Sequence, residues 1–232
     1  MNRDINTIIL DTVDSTSTYA RKRADSLTLP SLIIAKEQTA GRGRQGKCFY
    51  SPADTGVYFT LLFEADESFD FITPRAAVAV CEALEKEEIF PQIKWVNDIY
   101  LGGRKVCGIL CERFESAGRT LTAVGIGINL TTRVFPEDIP LAGSVGKALD
   151  PVNTATKITL AFLDSPSGHS RAELLGEYKK RSLITGKEIG YTENGSLFTG
   201  KAVDINDDFN LEVETPDGRK TLSSGEVSII MR

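Results

Sequence analysis

The amino-acid pattern changes character near Gly186, and that change limits the fold more than any other feature. Before it, apolar runs typical of strands are interleaved with stretches of helical periodicity, which predicts a sheet with helices packed on it. After it, KEIGYT, SLFTGKAVDI, FNLEVE, RKTLSS and EVSIIM read as short strands split by the turn signals ENGS, NDD and PDG. A β unit of roughly 45 residues buries little apolar surface by itself, so it is expected to dock on the main body. The expected class is α+β, a mixed β-sheet with packed helices over 1–185 and a small β domain over 186–232.

Within the first part, INTIILDTV reads as a strand and STSTYARKRAD as a helix with Ser15 or Thr16 as its N-cap. SLIIAKEQ and VYFTLLFEA are further strands, separated by a segment from Thr39 to Pro52 whose three glycines and one proline break periodicity. Thr73-Pro74 predicts a helix start with proline at the first helical position, an apolar stripe of Ala76, Ala77, Val80 and Leu84, and an end near Glu88. PQIKWV is a short strand, IYLGGRKVCGILCERF a hairpin turning on Gly102-Gly103, and TLTAVGIGINL another strand. Thr131 to Pro151 is irregular. Helical pattern returns in NTATKITLAFL and in SRAELLGEYKKRSL, where Leu174, Leu175 and Tyr178 share a face.

Composition narrows the function classes. The 232 residues are 41% hydrophobic and 25% charged, enough for a sizeable core, and the net charge of -5 opposes a surface built to neutralise nucleic-acid phosphates. Met1 to Leu10 is unlike a secretory signal, and no apolar run approaches the roughly 18 residues that span a bilayer. A cytoplasmic protein with no membrane partner is expected. Cys48, Cys81, Cys107 and Cys111 lack CxxC spacing, and His169, the sole histidine, reads as a surface or helix-start residue, which disfavours a metal cluster and histidine-based triads. The last three cysteines sit in apolar runs and read as small buried thiols.

Three segments carry candidate chemistry. In Gln38-Thr39-Ala40-Gly41-Arg42-Gly43-Arg44-Gln45-Gly46-Lys47, three cations fall within six residues, alternating with glycines that let backbone N–H groups approach an anion. A solvated basic loop or an RNA contact would look the same. The GxGxxG spacing of Gly41, Gly43 and Gly46 lacks the strand-turn-helix setting of a dinucleotide site. Lys94-Trp95-Val96-Asn97-Asp98 closes a short strand and reads either as a turn or as polar groups aimed into a pocket, with Arg104 and Lys105 following on the return strand. Val124 to Leu130 is a strand with Gly125 and Gly127 inside it, a pattern that marks the approach of a ligand or of a neighbouring helix.

Asp14-Ser15-Thr16, Gln38 with GRGRQG, KWVND, GGRKVCGIL, GIGIN and Gly225-Glu226-Val227-Ser228 together resemble, in order, the motif series of the biotin protein ligases. The series runs from Asp14 to Ser228. It departs from the family at Val96, where proline is usual, and at Cys107, where a smaller residue is commoner. The first strand begins almost at Met1, so the resemblance is to the monofunctional form, without the helix-turn-helix domain that reads DNA.

This resemblance implies a class II synthetase-like catalytic domain and a C-terminal SH3-like β-barrel. It implies an enzyme that forms biotinyl-5'-AMP from biotin and ATP with Mg²⁺, then transfers biotin to a lysine of a carboxylase's biotin carboxyl carrier protein. Lys105, Arg42, Arg44 and Asp98 are implied as catalytic residues, with Asp98 also orienting Mg²⁺ or the incoming amine. Ser15, Thr16, Gln38, Gly41, Arg42, Lys105, Gly108 and Gly127 are implied for biotin, and Arg42, Arg44, Lys94, Trp95, Asn97 and Asn129 for the nucleotide. The loop from Thr39 to Ser51 would act as a lid over the labile adenylate. Sheet-edge pairing in the family makes a homodimer a further expectation. Lipoate or octanoate ligases share the fold but not the GRGR pattern, and a non-catalytic biotin sensor would have no need of Lys105 and the two loop arginines.

Overall fold

The structure is a computed structural model that describes residues 4–64, 70–168, 170–193, 195–223, 225 and 227–230, the side chains of 165–168 excepted. His169 and Glu226, singled out in the sequence, lie outside the described residues.

Seven strands form one mixed sheet: β1 (Asn6–Val13), β2 (Ser31–Gln38), β3 (Gly56–Glu64), β4 (Gln92–Lys94), β5 (Asp98–Leu101), β6 (Arg104–Ser116) and β7 (Arg119–Asn129). Their order is β1-β2-β3-β7-β6-β5-β4, parallel only between β1 and β2. A parallel pair needs a crossover, and α1 (Thr16–Arg23) supplies it.

The continuous apolar runs of β2 and β3 follow from burial on both faces. Ile33 and Leu62 pack with Ala20 of α1 and with Ala24, its C-cap, on one side. Leu32, Ile34, Phe59 and Leu61 face the other side, in the same core as α2 (Ile72–Glu85), α3 (Pro151–Gly168) and α4 (Arg171–Lys180). Leu174, Leu175 and Tyr178 are all buried, as their spacing predicts.

The start of α2 differs from expectation. Its N-cap is Phe71, left-handed at φ 54 and without a side-chain cap bond, so Thr73 lies inside the helix. Pro74 then sits in the first turn, where backbone N–H groups have no intrahelical acceptor and the missing proton costs nothing. The helix ends at Glu85, with a turn following in which Glu88 has φ 62. The hairpin on Gly102 (φ 57) and Gly103 (φ 79) has the predicted primed geometry.

Strands β8 (Glu188–Glu193), β9 (Ser196–Ile205), β10 (Leu211–Thr215), β11 (Gly218–Leu222) and β12 (Val227–Ile229) make a five-stranded antiparallel sheet in the order β11-β10-β9-β8-β12. Ile189, Tyr191, Ala202, Ile205 and Phe209 belong to the same apolar core as α2 and α4, so the small sheet docks rather than standing free. Among the described residues, no helix is long and apolar enough to cross a membrane.

Candidate active site

A cleft of about 1160 Å³ opens over the face of the large sheet that carries α1, with Thr192 and Leu197 of the small sheet on its far wall. Its floor is backbone. Gly108 and Gly127 are direct partners across β6 and β7. A Cβ on Gly127 would lie 2.4 Å from Phe49 Cε1, and one on Gly108 would lie 3.2 Å from the same ring. Gly125 answers to a different neighbour: its Cβ would lie 2.6 Å from Ser17 Oγ on α1. The neighbouring-helix reading of the strand glycines therefore holds at Gly125, whereas at Gly127 the group that approaches the backbone is the Phe49 ring.

Beside this floor is a buried polar cluster. Ser15 is the N-cap of α1, accepting from Thr18 N at 3.4 Å. Asp14 accepts from Ser15 N at 2.7 Å, and this bond, with Lys22 nearby, holds the Asp14 carboxyl below the usual carboxylate range. Gln38 Oε1 accepts from Thr16 N (2.9 Å) and Thr16 Oγ1 (3.1 Å), while its Nε2 donates to Ser51 Oγ (2.9 Å). Thr60 Oγ1 lies 2.8 Å from Thr16 Oγ1 and 3.0 Å from Ser17 Oγ. Hydroxyls and an amide locked together in this way make a preorganised set of donors and acceptors for a small polar ring.

The glycine-rich loop folds back on itself above the floor. Phe49 N donates to Gly41 O (2.9 Å), Gly43 N donates to Lys47 O (2.7 Å), and a single 3₁₀ turn spans Arg44–Gly46. Gly41 is required by close approach, since a Cβ there would meet Phe49 O at 2.3 Å.

The three expected cations each hold a partner on β6, at the start of β5 or in the chain leading into it. Arg42 makes a two-pronged pair with Glu112 (2.7 and 2.7 Å), Arg44 Nη1 donates to Asn97 Oδ1 (2.9 Å), and Lys105 Nζ lies 2.6 Å from Asp98 Oδ1. Asn97 is itself fixed, donating from Nδ2 to Ile109 O at 2.9 Å. At these partly exposed positions an ion pair stabilises the fold by at most about 1 kcal/mol, so a stronger anion can compete for the cations.

The irregular segment after β7 forms the rim. Lys105 N donates to Leu141 O (2.8 Å), Gly143 N to Lys105 O (2.9 Å) and Val145 N to Asn129 O (2.9 Å). Between rim and loop lies a second, mostly apolar pocket of about 270 Å³ lined by Tyr50, Asn129, Phe135, Ile139 and their neighbours. Asn129 donates from Nδ2 to Gly143 O at 3.0 Å, but its buried Oδ1 has no partner. A buried acceptor left without a partner costs stability.

Lys94 lies over the Tyr100 ring at 5.5 Å. Trp95, expected on the nucleotide side, is buried with its indole N–H donated to Phe209 O (2.8 Å), so its donor fastens the small sheet to the β4–β5 turn. The Trp95–Val96 peptide is cis, and Tyr178 donates its hydroxyl to Val96 O at 3.0 Å.

Sequence reading missed Ser17, Phe49, Ser51, Thr60 and Glu112. Two of these had a signal. Thr60 is the polar exception inside an apolar strand, and Glu112 shares strand parity with Gly108, which puts both on the cleft face.

Fold and cleft together define the protein as an enzyme of the ligase class. Residues 9–130 match the model of the biotin/lipoate A/B protein ligase family, and residues 186–229 match that of the biotin protein ligase C terminal domain. The chain belongs to the biotin/lipoate A/B protein ligase family. It is similar to the bifunctional ligase/repressor BirA of Bacillus subtilis, at 31% identity over 94% of this chain and 72% of the relative. It is also similar to the biotin--[acetyl-CoA-carboxylase] ligase of Paracoccus denitrificans, at 31% identity over 94% of this chain and 98% of the relative. Among solved structures, the biotin protein ligase from Aquifex aeolicus in complex with biotin and ATP superposes with a TM-score of 0.80 at 29% identity, covering 98% and 99% of the two chains.

Proposed function

We propose that the protein is an ATP-dependent biotin protein ligase, which makes biotinyl-5'-AMP and passes biotin to a lysine of a carboxylase's biotin carboxyl carrier domain. The observation that carries this reading is the placement of a polar cluster, a glycine floor and three cations along one cleft, beside a mostly apolar pocket. The Ser15–Thr16–Gln38 cluster suits the N–H and C=O groups of a ureido ring, Gly108 and Gly127 give an apolar tail a floor without side chains once the Phe49 ring moves aside, and Gly41 shapes the loop above it.

A carboxylate must become part of a better leaving group before an amine can displace it. Its oxygen attacks the α-phosphate of ATP, and pyrophosphate departs. Two anions meet in that step, so Lys105 at the end of the glycine floor, with Arg42 and Arg44 in the loop, neutralises charge that is greatest in the transition state. Lys94 and Asn97 line the nucleotide side, and Asn129 helps to seat the adenine.

No cluster of three or more metal-ligating side chains exists among the described residues. A single carboxylate, Asp98, suits Mg²⁺, which takes one or two carboxylates together with substrate phosphates and would supply charge neutralisation there. In the second half-reaction the acceptor's lysine nitrogen attacks the acyl carbonyl, the acyl–phosphate C–O bond breaks as AMP leaves, and the amine gives up its proton to solvent; Asp98 is the candidate to orient that amine.

The outer edge of β1 carries no strand partner among the described residues, and Ile9 on it is 54% exposed; this edge is the surface we assign to a homodimer. The net charge of -5 speaks against DNA as a partner of this chain.

The test is incubation with ATP, Mg²⁺ and a carboxylase carrier domain, supplying biotin or lipoate separately. Acceptor modification with biotin only is expected. Modification with lipoate only would overturn the reading.

A further inference from the structure

We propose that Phe209, in the connection between β9 and β10 of the small sheet, is a positioning residue for adenylate formation: it holds the chain at Trp95 and Val96 and so sets where Asn97 and Asp98 stand. This inference rests on the ligase reading of the cleft.

Asn97 and Asp98 each carry a cation of the site. Asn97 accepts from Arg44 Nη1 (2.9 Å) and is tied to Ile109 in both directions, donating from Nδ2 to Ile109 O (2.9 Å) and accepting from Ile109 N at its own backbone oxygen (3.1 Å). Asp98 lies 2.6 Å from Lys105 Nζ. Trp95 and Val96 immediately precede this pair, and both are held by residues that do not line the cleft. The Trp95 indole N–H donates to Phe209 O at 2.8 Å, and Val96 O accepts from the Tyr178 hydroxyl at 3.0 Å. Tyr178 in turn meets the Phe209 ring edge-on, with centroids 5.6 Å apart, so one residue stands behind both holds.

Phe209 is itself fixed. It is 3% exposed, its ring also packs on Phe71, and its φ of 58 is a left-handed conformation that phenylalanine adopts only where its surroundings impose it. Phe209 N donates to Asn206 O (2.9 Å), and Asn206 Oδ1 accepts from Asp208 N (3.0 Å) and Asn210 N (3.1 Å). Arg171 of α4 clamps the turn from the surface: Nε and Nη2 donate to Asp207 O (2.9 and 2.7 Å), and Nη2 also pairs with the Asp208 carboxylate. Adhesion between the two sheets needs only apolar burial, whereas a strained and anchored turn whose carbonyl ends on the residue two places before Asn97 fixes a position.

The polar cluster lies elsewhere. Thr16 and Gln38 hang on α1 and β2, and β3, β7 and β6 stand between β2 and β5. Loosening Phe209 therefore shifts the partners of Arg44 and Lys105 and leaves the biotin end in place. A misplacement of about 1 Å at such groups costs up to about 10²-fold in rate.

The experiment compares the full chain with Trp95→Phe, which removes the indole N–H, Phe209→Leu, which removes the ring, and the surface variants Arg171→Ala and Arg171→Lys. Biotin-dependent pyrophosphate exchange gives kcat and the KM for biotin; hydrogen exchange of the Ile109 amide is followed without substrates. In Trp95→Phe and Phe209→Leu, kcat should fall at least tenfold with the biotin KM within twofold, and the Ile109 amide should exchange at least tenfold faster. Arg171→Ala, whose side chain is half exposed and whose loss leaves the core intact, should move kcat and Ile109 in the same directions at least threefold, and Arg171→Lys should recover at least half of that loss. Variants that melt earlier but keep kcat, a biotin KM that rises as far as kcat falls, or an Ile109 amide that exchanges as in the unaltered protein would overturn the proposal. The two readings fail separately: an unaltered protein without biotin-dependent exchange counts against the ligase assignment, whereas the Ile109 amide is read without substrate and decides whether Phe209 holds the turn.

Discussion

The ring of Phe49 fills the space that a side chain at position 127 would need, with a built Cβ only 2.4 Å from Phe49 Cε1. The ring therefore packs directly on the Gly127 backbone, and a ligand laid along the glycine floor must take the ring's place. Gly127→Ala must push Phe49 away or narrow the channel. We expect the KM for biotin in pyrophosphate exchange to rise about tenfold, corresponding to about 1.4 kcal/mol of binding. Phe49→Ala in the same chain should return most of that loss. A double mutant no better than Gly127→Ala alone would place the effect in the strand rather than in the channel.

Lys105 pairs with Asp98 at 2.6 Å and bonds through its backbone to the rim at Leu141 and Gly143, so its ammonium is held at the junction of floor and nucleotide pocket. Lys105→Ala should lower the rate of adenylate formation by roughly 10²–10³, the cost of removing one preorganised donor from a developing anion. Pyrophosphate exchange measures this directly. A normal exchange rate would remove Lys105 from the first step.

Arg44 connects the 3₁₀ turn of the loop to Asn97, whose amide is in turn fixed by Ile109 O. Arg44→Gly should leave adenylation measurable but free the loop, so that the acyl-adenylate escapes and labels bystander lysines. A release assay on preformed intermediate reads this as a retention time shortened at least tenfold. Unchanged retention would mean that the loop is held elsewhere, for example through the Arg42–Glu112 pair.

The strands were legible because each has a dominant local signal: β2 and β6 follow apolar runs bounded by turns, and the Gly102-Gly103 loop has the one geometry its residues favour. The start of α2 was not. Thr73-Pro74 satisfies a capping rule, but the packing of Phe71 against Phe209 at 4.8 Å between ring centroids fixes where the chain enters the helix. In the site, the loop and Lys105 could be read as charged groups needing a purpose. Glu112 offered only its strand parity with Gly108, because an acid on a strand looks like a solvated charge until its partner, 70 residues away in sequence, is in place. The anchoring role of Trp95, which also lines the cleft, was hidden for a related reason: the residue that accepts its indole N–H, Phe209, lies in the connection between β9 and β10.

The buried thiols give the fold a dependence on pH that runs opposite to acid denaturation. Cys81 is fully buried in α2, and burial raises its thiol from 9.0 to about 12, so the folded chain keeps a proton that the unfolded chain releases above pH 9. Below pH 9 both states hold it and the contribution is complete. As pH rises from 9 towards 12, the unfolded state binds fewer protons than the native state, and stability falls by about 1.4 kcal/mol per pH unit for one such group. Cys81→Ala removes the group from both states. Its stability at pH 8 should be lower by about 1 kcal/mol from lost packing, while its decline between pH 9 and 10.5 should be shallower than that of the unaltered protein by up to that same slope. Urea denaturation under reducing conditions at a series of pH values separates the two effects, because packing shifts the whole curve and linkage changes only its gradient. Parallel curves would show that the thiol ionises as readily in the folded chain as in the unfolded one.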